Sequence, residues 1–295
     1  MPNPLEASLK RQFKPIDGRV IKVSVELPGR IITFENLAIT VQGTKFTNAI
    51  KGDCTISIAN MTKDKSDYIL REGTPFNVAR RVTQTGVLER KSISVSVGRE
   101  STGTTLLYKG DIMFATISAG PDKVLTIQAK TGIFNSGKIV AVTETDSSPV
   151  SRIARKVSES LGLTLDFGAT DKSVANYSFT GASLKQVDKL NDLGEYNAFV
   201  DGDTLHVIDK NSTVRGRVRQ LNSENGMIGI PKATERGVQV TMLWDSQTAI
   251  GGLLQLTSTR YPSANGRYKI YKLSYNLSNR DIPFYYVADC QRLES

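Results

Sequence analysis

The side chains of this sequence with the clearest chemical potential are a single histidine and two cysteines. His206 is the only candidate base for a Ser-His-Asp or Cys-His nucleophile system, and its place inside an alternating strand pattern makes it a weak one. One histidine also excludes a histidine-rich metal site. Cys54 and Cys290 lie far apart in strand-like patterns, which is typical of buried apolar cysteines and not of a disulfide framework or metal site.

Acidic pairs and phosphate-binding loops offer no clearer reactive centre. The sequence contains no G-x-x-x-x-G-K-[ST] loop, and Asp201 and Asp203 fit the turn of a hairpin better than a metal site. Any two of the 29 acidic residues could pair for hydrolysis, but their spacing gives no support. We therefore predict no catalytic residue, no cofactor and no metal, and keep a cell-wall hydrolase domain as one alternative.

Three arginines form the sharpest charged pattern in the sequence. Arg215, Arg217 and Arg219 alternate at period two, which would place three guanidinium groups on one face of an extended segment. Such a row fits a linear acidic partner, either DNA or an acidic surface of a neighbouring subunit. A solvated strand face, whose charges only keep the segment soluble, explains the same pattern and is the favoured interpretation.

The composition is typical of a globular protein with an excess of positive charge. Hydrophobic residues make up 39% of the chain, enough to bury a sizeable core. The net charge of +9 permits contact with nucleic acid, so a nucleic-acid-binding β-barrel protein is a second alternative. No stretch approaches the roughly 18 apolar residues that span a bilayer, and no signal peptide is evident. We expect no membrane insertion and assembly in a cytoplasm.

Short strands with period-two alternation dominate the sequence from Val20 to Thr145. Cys54–Ala59 is an example, with Cys54, Ile56 and Ile58 on one face. Many such strands, separated by Gly, Pro and Asp turns, predict a mainly β fold of barrel or sandwich type. One short helix is predicted over Thr62–Arg71.

The pattern changes at Ser148-Pro149, which predicts an N-cap and the first residue of a helix that ends at Gly162. A second helix is predicted from Ser183, where Ser183-x-x-Gln186 matches a capping box. A hairpin then turns at Asp201-Gly202-Asp203. These elements predict a compact α/β insert.

Alternation returns after the insert, and the predicted organisation has four parts. They are an N-terminal arm over 1–17, a first β-barrel with strands leading to the second over 18–145, the α/β insert over 146–212, and a second β-barrel over 213–295. The strands Val124–Ala129 and Ile139–Thr143 are candidates to complete the second barrel across the insert.

The order and spacing of three passages resemble the hub subunits of contractile phage baseplates over most of the chain. The passages are Gly110-Asp111-Ile112 through Lys130-Thr131-Gly132, Ser151-Arg152-Ile153-Ala154 through Leu184-Lys185-Gln186-Val187, and Gly226-Met227-Ile228-Gly229-Ile230-Pro231 through Phe284-Tyr285-Tyr286.

The resemblance implies two antiparallel tube-like β-barrels in each subunit, with the small α/β insert decorating them. It also implies a homotrimer whose six similar barrels surround a channel. Such a ring joins the sixfold tail tube protein to the threefold central spike protein in the virion tail baseplate, and DNA passes transiently through its lumen. A similar role occurs in type VI secretion and in phage-tail-like bacteriocins.

Overall fold

A computed structural model describes residues 17–47, 52–73, 90–132, 134, 138–144 and 146–293, so the predicted N-terminal arm lies almost wholly outside the described residues. The chain in this part is mainly β, as predicted. The strands are β1 (Arg19–Leu27), β2 (Arg30–Phe34), β3 (Ile39–Phe46), β4 (Asp53–Ala59), β5 (Ser92–Arg99), β6 (Gly103–Ile117), β7 (Val124–Lys130), β8 (Ile139–Thr143), β9 (Ser148–Pro149), β10 (Thr164–Phe167), β11 (Ser173–Val174), β12 (Ser178–Ala182), β13 (Tyr196–Asp201), β14 (Thr204–Asp209), β15 (Val218–Leu221), β16 (Met227–Thr234), β17 (Gly237–Leu243), β18 (Leu253–Leu256), β19 (Gly266–Ser278) and β20 (Phe284–Arg292). The helices are α1 (Lys63–Gly73), α2 (Val150–Leu161) and α3 (Lys185–Asp192), with a 3₁₀ turn at Pro262–Ala264.

One sheet of 13 strands joins the two ends of the chain. Its main path runs β16-β17-β20-β19-β3-β4-β7-β6-β5-β1-β2, and β18 and β15 branch from β19. The first part of β19 pairs with β18 and its last part pairs with β3, with Leu277 opposite Val41. β19 thus carries the sheet from one half into the other. The path of strand pairing in the described residues is open, ending at β16 and β2, and the expected pair of barrels is not confirmed.

Alternation buries one face of this sheet, as the sequence predicts. In β4, Cys54, Ile56 and Ile58 are buried while the residues between them are partly exposed. β19 interrupts this alternation. A bulge there puts Ile270 in the core and leaves Tyr271 half-buried, because an extra residue reverses the alternation.

Two strands pair differently from the prediction. β7, expected to complete a C-terminal barrel, lies between β4 and β6 in the N-terminal half of the sheet. β8, expected beside it, pairs with β12 of the insert. β12 supplies the partner that β8 needs, so its backbone groups are satisfied outside the large sheet.

The insert has its own hydrophobic core, built on α2, α3 and the β13–β14 hairpin. α2 ends at Gly162 as predicted, in a left-handed conformation. The predicted N-cap is wrong: Pro149 occupies that position, Ser148 bonds instead to Glu144, and Asp171 accepts a hydrogen bond from the Ser151 amide at 3.0 Å.

α3 begins later than the capping box predicts. The first helical residue is Lys185, preceded by Leu184 at the N-cap without a side-chain cap bond. The Gln186 side chain donates to the Ser183 carbonyl at 3.2 Å and to the Ser160 hydroxyl at 3.1 Å, so it ties α3 to α2. None of the helices in the described ranges is both long and apolar enough to cross a membrane.

The insert is anchored on the large sheet through its hairpin. Phe199 belongs to the main core, and its ring lies so close to Gly251 that a Cβ there would be 2.5 Å from it. Asp201 pairs with Lys45 at 2.5 Å, and Asp203 pairs with Lys109 at 2.8 Å. The hairpin acids are therefore structural links between two units and not only turn residues.

Candidate functional site

The imidazole of His206 makes structural contacts with its neighbours. Its Nδ1 lies 2.8 Å from Asp166 Oδ2 on the neighbouring strand, and its ring stacks on Phe199 with centroids 5.2 Å apart. It lines a cavity of about 360 Å³ between the insert and the sheet. Among the described residues no hydroxyl or thiol hydrogen-bonds to the ring, so a nucleophile that this base could activate is not in place.

Both cysteines are buried free thiols in strands, as the sequence predicts. Burial raises the pKa of Cys54 to about 12 and raises the pKa of Cys290 above its ordinary value as well. A thiol that stays protonated is a poor nucleophile and a poor metal ligand. Within the described ranges no group of three or more histidine, cysteine or acidic side chains could hold a metal.

The three arginines do not form one extended row. Arg215 lies in a turn with Gly216, and β15 begins only at Val218, so the alternation on which the prediction rests is broken. Arg219 lies 3.1 Å from Asp245 Oδ2 and donates to the Asn225 carbonyl at 2.5 Å. An acidic partner for these arginines stays a prediction, with Arg215 and Arg217 exposed and Arg219 already paired within the chain.

The solvent side of the central strands carries an uncharged polar surface, which we term the neutral face. Its members are Thr40, Gln42 and Thr44 of β3, Thr55 and Ser57 of β4, Thr126 and Gln128 of β7, and Ser274 and Asn276 of β19. Directly paired residues of antiparallel strands share a face, and one row runs Asn276, Gln42, Thr55, Gln128 across all four strands. The other side of the same strands is the fully buried core.

Only long hydrogen bonds join the side chains of the neutral face. Gln42 Nε2 lies 3.4 Å from Asn276 Oδ1, and the Ser57 and Thr126 hydroxyls are also 3.4 Å apart. Most of the hydrogen-bonding capacity of the face is therefore left for water. Charges return at its margin, where Asp53 and Lys130 stand opposite each other.

An apolar edge cluster lies at one end of the large sheet. It consists of Ile228 and Ile230 on β16 and Leu243 on β17, whose side chains are 40%, 51% and 48% exposed. Within the described residues β16 pairs only with β17, so its other edge is open. An open edge strand with exposed apolar side chains is typical of a surface that another chain covers.

The sequence over residues 20–290 matches the family described as baseplate hub gp41. This match spans most of the chain. The protein belongs to the baseplate hub family. The resemblance drawn from the three sequence passages is thereby confirmed, and no curated protein sequence matches the chain.

Solved phage tail proteins share the fold of this hub protein. It superimposes on the 43 kDa tail protein of prophage MuSo2 from Shewanella oneidensis with a TM-score of 0.61 at 9% identity, covering 92% of this chain and 96% of that one. A tail protein from Neisseria meningitidis MC58 gives a TM-score of 0.62 at 8% identity, with coverage of 92% and 96%. The E. coli c3393 protein of the type VI secretion system gives 0.58 at 10% identity, covering 92% of this chain and 77% of that one.

The hub protein is thus a structural protein of the phage tail type. Sequence reasoning missed its neutral face and its apolar edge cluster. The signal for the first was present, because serine, threonine and glutamine occupy the central solvent positions of β3, β4 and β7. Nothing in the sequence shows that β3 pairs with β19, which brings those positions together.

Proposed function

We propose that this hub subunit forms a trimeric ring that joins the sixfold tail tube to the threefold spike and surrounds the DNA channel. Family membership supports the hub role. The neutral face is the observation that supports the DNA channel. Its partners are the tail tube protein and the central spike protein, and the ring belongs to the virion tail baseplate after assembly in the host cytoplasm.

The neutral face has the chemistry that a DNA channel wall needs. Cationic side chains bind phosphates and release counterions, which holds DNA in place. A wall of hydroxyl and amide groups stays hydrated and gives the phosphates no cation to bind. The nine residues of the neutral face carry no charge and lie on four adjacent strands. We therefore orient this face towards the lumen, where DNA passes transiently.

The apolar edge cluster suits the contact between subunits. A closed ring of three subunits needs two different surfaces that meet head to tail. β16 provides one open edge, and β2 at the other end of the sheet provides the second. Ile31 on β2 is 68% exposed, so both edges carry apolar side chains that a neighbouring subunit would cover. Arg215 remains a candidate for an acidic contact with DNA or the neighbour.

Light scattering coupled to size-exclusion chromatography tests the ring. We expect three subunits per particle in the wild type and monomers after Ile228→Asp with Ile230→Asp, because each charge would be buried without a partner. The matched control is Ile139→Asp, since Ile139 is 77% exposed on β8 and lies outside the edge cluster. A monomeric wild type at high protein concentration would contradict the proposal.

A further inference from the structure

A basic cleft of about 880 Å³ opens at one end of the large sheet. It is lined by Lys210, Arg236, Gly266, Arg267, Gln291, Arg292 and Leu293. Four of these seven residues are cationic and none is acidic. Neither the family match nor the proposed ring assigns it a role.

Strand pairing fixes the positions of the cations. The Arg292 amide donates to the Arg236 carbonyl, and the Leu293 amide donates to the Arg267 carbonyl, each at 3.0 Å. Gly237 lets the β16–β17 turn approach β20, because a Cβ there would lie 2.5 Å from the Cys290 carbonyl oxygen. The three arginines therefore come from three segments that the backbone holds together, and Lys210 comes from a fourth.

These cations have no acidic partner among the described residues. Lys45, Arg90 and Lys91 each pair with a carboxylate, whereas Lys210, Arg236, Arg267 and Arg292 do not. The guanidinium of Arg236 lies 5.5 Å from the ring centroid of Tyr271, a cation–π contact that restricts where this side chain can lie. Lys210 and Arg236 also border a depression that holds Asp188 and Asp192, so the repulsion that a bound anion would relieve is greatest at Arg267 and Arg292.

A fifth cation lies behind the cleft. Lys269 on β19 is 3% exposed, and its ammonium donates to the Lys210 carbonyl at 3.1 Å. Burial lowers the pKa of this lysine to about 8. It adds positive potential to the same region when it is protonated.

We propose that the basic cleft binds an acidic segment of a partner protein, with carboxylates held by Arg236, Arg267 and Arg292. Arginine is suited to this task because its planar fork donates two parallel hydrogen bonds to one carboxylate. The cleft is open to solvent, and its four cations are exposed, so a short extended segment could lie along it. Leu293 and the Tyr271 ring nearby offer apolar contacts that a peptide side chain can use.

The same features favour a peptide over a DNA duplex. A duplex is a broad rod that contacts basic groups spread along an open surface, and its phosphates carry no apolar side chains. The cations here line a single depression at the end of the sheet, beside Leu293, instead. DNA binding at this cleft is therefore the competing outcome of the test.

Fluorescence anisotropy on the full-length protein tests the proposal. The probes are a short labelled peptide of alternating glutamate and leucine and a short labelled DNA duplex, each titrated at low and near-physiological salt. We expect the peptide to bind and the variant Arg236→Gln, Arg267→Gln, Arg292→Gln to bind it at least about tenfold more weakly, since each arginine removed loses charge-assisted bonds.

The matched control removes the same charge elsewhere, with Lys123→Gln, Arg152→Gln and Arg155→Gln, all exposed and away from the cleft. It should keep the peptide affinity within about twofold. Equal losses in both variants, no peptide binding by the wild type, or a cleft that binds the duplex in preference to the peptide would each overturn the proposal. If the triple variant melts early, Arg267→Gln alone, at an exposed position, serves the same comparison.

Discussion

The neutral face and the basic cleft belong to the same sheet and have opposite surface chemistry. The neutral face spreads nine uncharged polar residues over β19, β3, β4 and β7. The basic cleft gathers four cations where β19 begins and β20 ends. The positive charges that give the chain its net charge of +9 are thus unevenly distributed over its surface. We infer that the neutral face does not bind a polyanion tightly and that the basic cleft binds an acidic group.

The largest effect is expected from placing cations on the neutral face. Gln42→Arg, Thr55→Arg and Gln128→Arg would create a row of three arginines across adjacent strands. Such a row binds phosphates, so DNA affinity at low salt should rise by orders of magnitude. The slope of log K against log salt should steepen by about one unit per arginine. Filter binding at several salt concentrations measures it, with the same sites changed to asparagine as the control. An unchanged salt slope would mean that the face is closed to DNA.

Substitutions in the core should lower the free energy of unfolding more than substitutions on the neutral face above it. Ile56→Ala should lower the free energy of unfolding by about 2 to 5 kcal/mol, because Ile56 is fully buried and leaves a cavity. Thr55→Ala, one residue away on the neutral face, should change it by less than about 1 kcal/mol. Urea unfolding of both variants gives the comparison. Equal losses would indicate that the neutral face is needed for folding.

The buried lysine behind the basic cleft should leave a signature in the pH dependence of stability. The folded-state pKa of Lys269, about 8, lies below its unfolded value, so the unfolded chain binds more protons between the two. Its contribution therefore makes the protein more stable as pH rises from about 8 towards 10, by at most about 3 kcal/mol. The ionisable groups lining the depression around it are Lys210, Arg236, Asp188, Asp192, Tyr196 and Tyr271.

Lys269→Met isolates this contribution, because methionine fills similar space without charge. The difference in unfolding free energy between variant and wild type should shrink as pH rises through that window. A difference that stays constant from pH 7 to 10 would show that the lysine titrates normally in the folded protein.

The smallest effect concerns the arginines of the broken row. Arg215→Glu should change stability by less than about 0.5 kcal/mol, since Arg215 lies exposed in a turn. Arg219→Glu should cost more, about 1 kcal/mol or above, because it would bring a second carboxylate beside Asp245. Thermal melts compare the two. Equal tolerance of both changes would mean that the Arg219 ion pair contributes nothing.

The sequence predicts local structure far better than it predicts pairing. Alternation predicts β1, β4 and β7 and the buried side of each, because burial of one face is a local property. The partners of β8 and the junction between β3 and β19 depend on residues far apart in the chain, and no local pattern encodes them.

The candidate surfaces differ in the same way. The residues of the neutral face can be predicted from the solvent positions of each single strand. The extent of the face depends on how those strands pair. The basic cleft joins Lys210, Arg236, Arg267 and Arg292 from separate segments, so no spacing in the sequence reveals it. The arginine row shows the converse, since Gly216 turns the chain and disperses a pattern that looks regular in the sequence.

Cryo-electron microscopy of the assembled protein tests the central claim most directly. The proposed ring predicts a threefold particle with a central hole, in which Gln42, Thr55 and Gln128 face the axis and Ile228 lies between subunits. A compact monomer, or a ring whose hole is lined by the basic cleft while the neutral face points outwards, would contradict the account.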